Sequence, residues 1–391
     1  MIYISVDNDE HSKLAMSIIE QCDLKNDDVI FISHYSLRNN FIPSSDFKKI
    51  EMSGHPLSDG YGYTRGGAYV RSIFHQHKLR NTFKFSSDDI LIVITEYQLN
   101  NAILAKKMKL AGGQVVLFDE GIGFYFNNSL YHAFQGNRTD KFYLSIYNMI
   151  FRVMGIPARA SKGQEGRMYV SIKDNLIDRV YSRLNLPINR QIPINGYRSM
   201  LNSAAGFGEP DSEVAIFFAT NFDCYNLKAE EMQLAALAIE QMARNFSKVY
   251  IKVHPSDYIA SNDVYTFYES LIYKYKNVIL IGNELTAVEV IKQYRPKIVA
   301  GAMSTALFDA IPLGCQPVFL FHMLPAISEF GVYNHVLNNL NYKSIKALND
   351  IQPDYECEVD VDNLMHRGEL SNCFASEANQ EQSSAQARQS S

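Results

Sequence analysis

Two α/β domains, each a parallel sheet covered by helices and facing its partner across a central cleft, is the architecture this sequence predicts. Three observations lead there. Short apolar runs of strand length alternate with longer amphipathic segments of helical period. The alternation occurs in two series, separated by a small, glycine-rich stretch. The chain has 391 residues, 47% apolar and 20% charged, which suits two ordinary globular domains.

The first series opens with the apolar run Ile2 to Val6, followed by Asp7-Asn8-Asp9, a helix from about His11 to Cys22, and the run Val29 to Ser33. Strand–helix–strand with short connections reads as a parallel unit. Residues 42–69 are polar and glycine-rich and read as a long loop. Ile90 to Ile94 is a strand, and a helix from Asn100 to Leu110 is stopped by Gly112-Gly113. Gln114 to Phe118 then delivers Asp119-Glu120-Gly121. From Lys141 to about Leu201 the pattern reads as helical, with a basic series running from Arg152 to Arg198. That series either attracts an anionic glycan or anionic inner-leaflet lipid, or is a solvated face.

The stretch 204–212 reads as the linker, with domains at 1–203 and 213–375 and a Ser/Gln-rich disordered tail at 376–391. In the second series Val214 to Phe218, Val249 to Val253, Val278 to Ile281, Ile298 to Gly301 and Pro317 to Phe321 are strands. Helices are expected over about Ala229 to Asn245, over Ala287 to Tyr294 and after Thr305.

Composition excludes several classes. A formal net charge of -5 gives no broad nucleic-acid surface. Five scattered cysteines without a CxxC pair form neither a zinc site nor a disulfide framework, so a reducing cytoplasm is expected. The amino-terminal run lacks the character of a signal peptide. No apolar stretch approaches the roughly 20 residues of a membrane span.

Three motifs stand at strand ends, where open α/β sheets bind ligands. Asp119-Glu120-Gly121 presents two acids and a glycine; a base at a cleft needs a partly desolvated carboxylate. Lys252-Val253-His254-Pro255 ends a strand with a histidine suited to a phosphate, and Lys252 shares its face by period two. Gly301-Ala302-Met303-Ser304-Thr305 is a small-residue turn with two hydroxyls opening a helix, which suits an anion. Taken singly, each also reads as ordinary structure: a solvated turn, a satisfied histidine, an N-cap.

In combination and in this order, the acidic pair with glycine, the His-Pro pair and the Ser/Thr pair resemble the bacterial sialyltransferases and polysialyltransferases of the two-domain GT-B type. The resemblance implies an inverting, metal-independent single displacement from a CMP-activated sialic acid, or a related nonulosonic acid, to a hydroxyl of a bacterial surface glycan. Residue by residue it implies Glu120 as base, Asp119 as its support, His254 at the leaving phosphate, and Ser304 and Thr305 binding that phosphate. The donor has a single phosphate, so a histidine and a helix terminus can offset its charge without a metal. Asp360-Val361-Asp362 looks like a metal motif but lies beyond the recognisable strands and is discounted.

Further candidates come from position alone. Thr220, Asn221, Asn283 and Glu284 follow strands of the second series and fall on the donor side with Gly301, Lys252 and Pro255. Asp7 and Gly121 fall on the acceptor side. No cofactor is expected. Pseudaminic, legionaminic or Kdo-type transfer fits the same motifs, a UDP-sugar 2-epimerase shares the fold and size, and a non-catalytic glycan-binding protein is a third class. Peripheral attachment to the inner membrane and homo-oligomerisation both stay open.

Overall fold

The computed structural model describes residues 1–34, 46–53, 55, 66–95, 98–119, 124, 138–162, 168–185, 192, 194–196, 207–219, 228–254, 262–282, 284–302, 304–324, 345–357 and 370. Two all-parallel sheets dominate it. The first contains β1 (Ile2–Val6), β2 (Val29–His34), β3 (Lys48–Met52), β4 (Ile90–Val93), β5 (Gln114–Phe118), β8 (Arg179–Ser182) and β9 (Ile194–Gly196), in the order β3-β2-β1-β4-β5-β8-β9. The second contains β10 (Asp211–Phe218), β11 (Lys248–Lys252), β12 (Val278–Ile281), β13 (Pro296–Gly301) and β14 (Gln316–Phe319), in the order β12-β11-β10-β13-β14. Both begin at the centre, run outward to one side and then to the other. Each therefore has a topological switch point, at β1/β4 and at β10/β13.

Strand side chains alternate, and the first sheet sorts its apolar residues accordingly. Ile4, Val6, Ile92, Val116 and Phe118 meet Leu14, Ala15 and Ile18 of helix α1 (Asp9–Gln21). Tyr3, Leu91, Val93, Val115 and Leu117 cluster with residues of α2 (Gly66–Thr82), α3 (Leu99–Leu110) and α4 (Arg138–Val153) on the other face. Strands buried on both faces read as continuous apolar runs, which is why β4 is Ile-Leu-Ile-Val. The second sheet is covered by α5 (Lys228–Asn245), α6 (Asn262–Lys274), α7 (Ala287–Tyr294) and the short α8 (Ala306–Ala310).

Three expectations need correction. The polar stretch 42–69 contains β3 and the first residues of α2, because an edge strand such as Lys-Lys-Ile-Glu-Met carries little apolar signal. The segment after Lys141 is helical only to Val153. It continues as a hairpin of β6 (Ala158–Lys162) and β7 (Met168–Ile172), then as β8 and β9. The described members of the basic series are consequently spread over unlike elements, from Arg152 at the end of α4 to Arg179 in β8. Third, Leu370 falls by sequence in the second domain but packs into the α1 side of the first sheet, where Cys22 Sγ lies 3.5 Å from its carbonyl oxygen.

Candidate active site

The strand end that carries Asp119 is joined, through Arg183, to the helix that follows Ser304-Thr305 in the second domain. Register explains the first-domain side. β5 pairs β8 with Phe118 opposite Tyr181, and the ladder extends as the Asp119 N–H donates to the Tyr181 carbonyl at 3.1 Å. Just past the paired ends, Asp119 and Arg183 become neighbours. The Arg183 Nε donates to Asp119 Oδ2 at 3.1 Å, and the Asp119 side chain is fully buried. Arg183 also reaches across the cleft, with Nη1 3.6 Å from Oδ1 of Asp309 in α8. One guanidinium thus joins the acidic strand end of the first domain to the helix that follows Ser304-Thr305 in the second.

A second cross-domain pair joins α1 to α7. Lys13 of α1 bonds Glu289 in the first turn of α7. Glu289 is also the acid of a capping box, accepting from the Thr286 N–H at 2.8 Å and the Thr286 hydroxyl at 2.9 Å. Burial raises its pKa, but Lys13 and Thr286 outweigh that and hold the carboxyl below its ordinary value. Asp7 closes β1 at the central switch point, buried, with its N–H donating to His11 Nδ1 at 3.3 Å. Asn8 beside it caps α1 by accepting from the His11 N–H at 2.9 Å.

On the second-domain side, β11 sets Lys252 and His254 at its carboxyl end. Lys252 is buried and donates from Nζ to the Gly282 carbonyl just after β12, at 3.2 Å. Burial first, and then the Lys252 charge, push His254 down from 6.5 to about 4, so near neutral pH the imidazole is uncharged. A methyl group at Gly282 would lie 2.1 Å from Glu284 Oε2, so the exposed Glu284 folds over this turn.

Gly301 is fixed by its backbone: a Cβ there would meet the Phe218 carbonyl oxygen of the adjoining β10 at 2.7 Å. Ser304 Oγ accepts from the Ala306 N–H at 3.3 Å. The expected helix terminus is modest, because α8 has five residues before it passes into a 3-10 turn at Ile311–Leu313. Too few aligned peptides stand behind Ser304 and Thr305 for a sizeable macrodipole. Their contribution to an anion comes from hydroxyls and backbone N–H groups.

Glu120, Gly121, Thr220, Asn221, Pro255, Asn283 and the Asp360/Asp362 pair lie outside the described residues. Sequence reasoning placed Arg183 only within the basic series, whereas here it pairs with Asp119 and Asp309, and it missed Asp309, Lys13 and Glu289, none of which belongs to a motif. It also missed the polar network under the first-domain strand ends. There Ser5 Oγ bonds Asn101 Oδ1 at 2.6 Å, and Asn101 Nδ2 donates to the Thr95 carbonyl at 2.8 Å. Asn100 accepts from His75 Nε2 at 2.8 Å and donates to the Ser53 carbonyl at 3.1 Å. The buried His55 lies 3.1 Å from Ser72 Oγ and edge-on to the His75 ring. The one available signal was Asn100-Asn101 in the first turn of a helix, directly before the apolar run Ala102 to Ala105.

Several solved structures are similar across most of the chain. The UDP-GlcNAc 2-epimerase from Neisseria meningitidis bound to UDP-GlcNAc is 12% identical, with 82% of each chain covered and a TM-score of 0.48. A variant of the wall teichoic acid polymerase TagF is 12% identical over 90% of this chain and 77% of that one, also at 0.48. A spinosyn rhamnosyltransferase complexed with thymidine diphosphate is 11% identical over 82% and 80%, at 0.41. No curated protein matches. The family model described as alpha-2,8-polysialyltransferase (POLYST) matches residues 4–321, a span that holds both sheets and all three motifs. With most of its length matched, the chain belongs to the alpha-2,8-polysialyltransferase (POLYST) family of glycosyltransferases.

Proposed function

We propose that this chain is an inverting, metal-independent transferase that moves sialic acid, or a related nonulosonic acid, from a CMP-sugar to a hydroxyl of a bacterial surface glycan. The observation that carries the proposal is the family match over residues 4–321. Two observations support it: Arg183 joins Asp119 to the helix that follows Ser304-Thr305, and His254 follows a strand of the same parallel sheet that carries Gly301.

In this reading the acceptor oxygen bonds to the anomeric carbon as the bond from that carbon to the phosphate oxygen breaks. The bonding electrons leave with CMP, and the acceptor proton passes to the Glu120 carboxylate. Asp119 lies buried against Arg183, which suits a residue that fixes the strand end bearing the base. The low pKa of His254 favours a neutral N–H donor to the phosphate over a proton carried in beforehand. Lys252 supplies fixed positive charge beside it, where negative charge grows as CMP departs. Ser304 already accepts from Ala306, which leaves its own O–H to donate to a phosphate oxygen.

The test is release of CMP from CMP-sialic acid in the presence of sialylated and unsialylated oligosaccharides. Turnover is expected, and it should persist in EDTA. Glu120→Gln and His254→Ala should each lower kcat about 10²- to 10⁴-fold in folded protein. Full activity in Glu120→Gln would move the base elsewhere. Failure to consume any CMP-sugar, together with epimerisation of UDP-GlcNAc, would sink the reading.

A further inference from the structure

Helices α2 and α4 both present an apolar stripe to solvent. On α2, Val70, Ile73 and Phe74 are 56%, 60% and 72% exposed. On α4, Phe142, Met149 and Val153 are 64%, 58% and 81% exposed. Spacings of three, four and seven put each set on one side of its helix. The opposite sides carry Leu79 and Phe151, both buried in the core, so the stripes point away from the sheet. The two helices lie on the same face of the first sheet, and their carboxyl ends converge. Lys106 of α3 donates to the Gly155 carbonyl just after α4, and a methyl at Gly155 would lie 3.8 Å from the Arg80 guanidinium at the end of α2. Clustered exposed apolar side chains rimmed by polar residues mark an interaction site.

Charge identifies the occupant. In sequence, α2, α3 and α4 hold nine Lys or Arg and one acid, Asp140, within a chain of net charge -5. Arg71, Lys78 and Arg80 flank the α2 stripe and Arg152 adjoins Val153, all of them exposed. Burial, followed by the charges of Arg80 and Lys84, depresses the pKa of Lys107, which caps α2 through the Arg80 and Phe83 carbonyls. An anionic soluble polymer would engage the cations but has no use for Phe74 and Val153. An anionic bilayer interface engages both.

We propose that the α2–α4 face docks on an anionic membrane surface, seating Ile73, Phe74 and Val153 at the headgroup–acyl boundary and Arg71, Lys78, Arg80 and Arg152 on lipid phosphates. The crossover helix α2 joins parallel strands β3 and β4, so it starts at the carboxyl edge of the sheet and runs back toward the amino edge. Docking is read out as binding, so it holds or fails independently of transferase activity.

The experiment is co-sedimentation of the full chain with vesicles of pure phosphatidylcholine and with vesicles containing anionic phosphatidylglycerol. Binding to the anionic vesicles alone is expected, weakening steeply with salt. Arg71→Gln and Lys78→Gln should each weaken it about fivefold. Phe74→Ser should weaken it at least as much, with an unchanged melting temperature. Equal binding to both vesicle types, or no binding, overturns the proposal. So does a dimer broken by Phe74→Ser without vesicle binding, which would give the face to a second copy. Binding to a soluble anionic polysaccharide that Phe74→Ser leaves intact would give it to a glycan.

Discussion

Arg183 is where a single side chain decides most. Its guanidinium is nine-tenths buried and satisfies a wholly buried Asp119 while reaching Asp309 in the other domain. Removing one partner of such a pair strands a charge away from water, which costs about 3–5 kcal/mol. Arg183→Met should therefore lower the unfolding free energy by that order, read from urea denaturation. The double variant Arg183→Met/Asp119→Asn should recover part of the loss, because the stranded charge is gone. Two histidines predict a pH response. His254 is held at about 4 and His55 at about 3, each mainly by burial, with Lys252 and His75 adding to it. Both are neutral when folded near pH 7, whereas the unfolded chain protonates them near 6.5. Stability is therefore full above about pH 6.5 and falls as pH drops toward 4, each histidine contributing about 1.4 kcal/mol per pH unit. Melting temperature against pH checks this, and His55→Gln should flatten the acid limb.

Among the elements, two close fits dominate. β13 runs so near β10 that Gly301 has no room for a side chain against the Phe218 carbonyl. Gly301→Ala should cost about 1–3 kcal/mol through backbone displacement, read from chemical denaturation. Its effect on donor binding would follow from moving the Ser304 turn. The capping box of α7 is the other. Thr286→Ala removes an acceptor for the Glu289 N–H and should cost about 1 kcal/mol. These elements were unequally legible in sequence. The central strands announced themselves as unbroken apolar runs, because helices cover both faces of their sheets. The edge strand β3 and the strands after α4 did not. β3 is two lysines and a glutamate around a little apolar surface, and β8 hides its polar end, Ser182 and Arg183, inside a network that local pattern cannot see.

At the scale of the whole molecule, two ion pairs among the described residues tie the domains. They should behave differently because they differ in exposure. Glu289 of the Lys13–Glu289 pair is 42% exposed, so its coupling in a double-mutant cycle should stay below about 1 kcal/mol and fade with salt. The Arg183–Asp309 pair, with side chains 10% and 13% exposed, should keep its coupling at the same salt. Equal salt dependence for both would show that the cleft opens enough to wet the inner pair. Among the described residues no helix is long and apolar enough to cross a membrane.

What the sequence determined by itself was the alternation of strands and helices, the split into two series, and the presence of acids, a histidine and hydroxyls at strand ends. Those are local properties, set by hydrophobic period, turn residues and strand termination. Only the tertiary structure decided which strand ends meet. It brought Arg183 beside Asp119 through the register of β5 and β8, and set Asp309 and Glu289 against groups far away in the chain. It turned the expected helix-terminus anion site into a short turn of hydroxyls, and it made His254 neutral by burying it next to Lys252. Burial and long-range proximity set charge states and ion pairs, and neither is written in any local stretch of sequence.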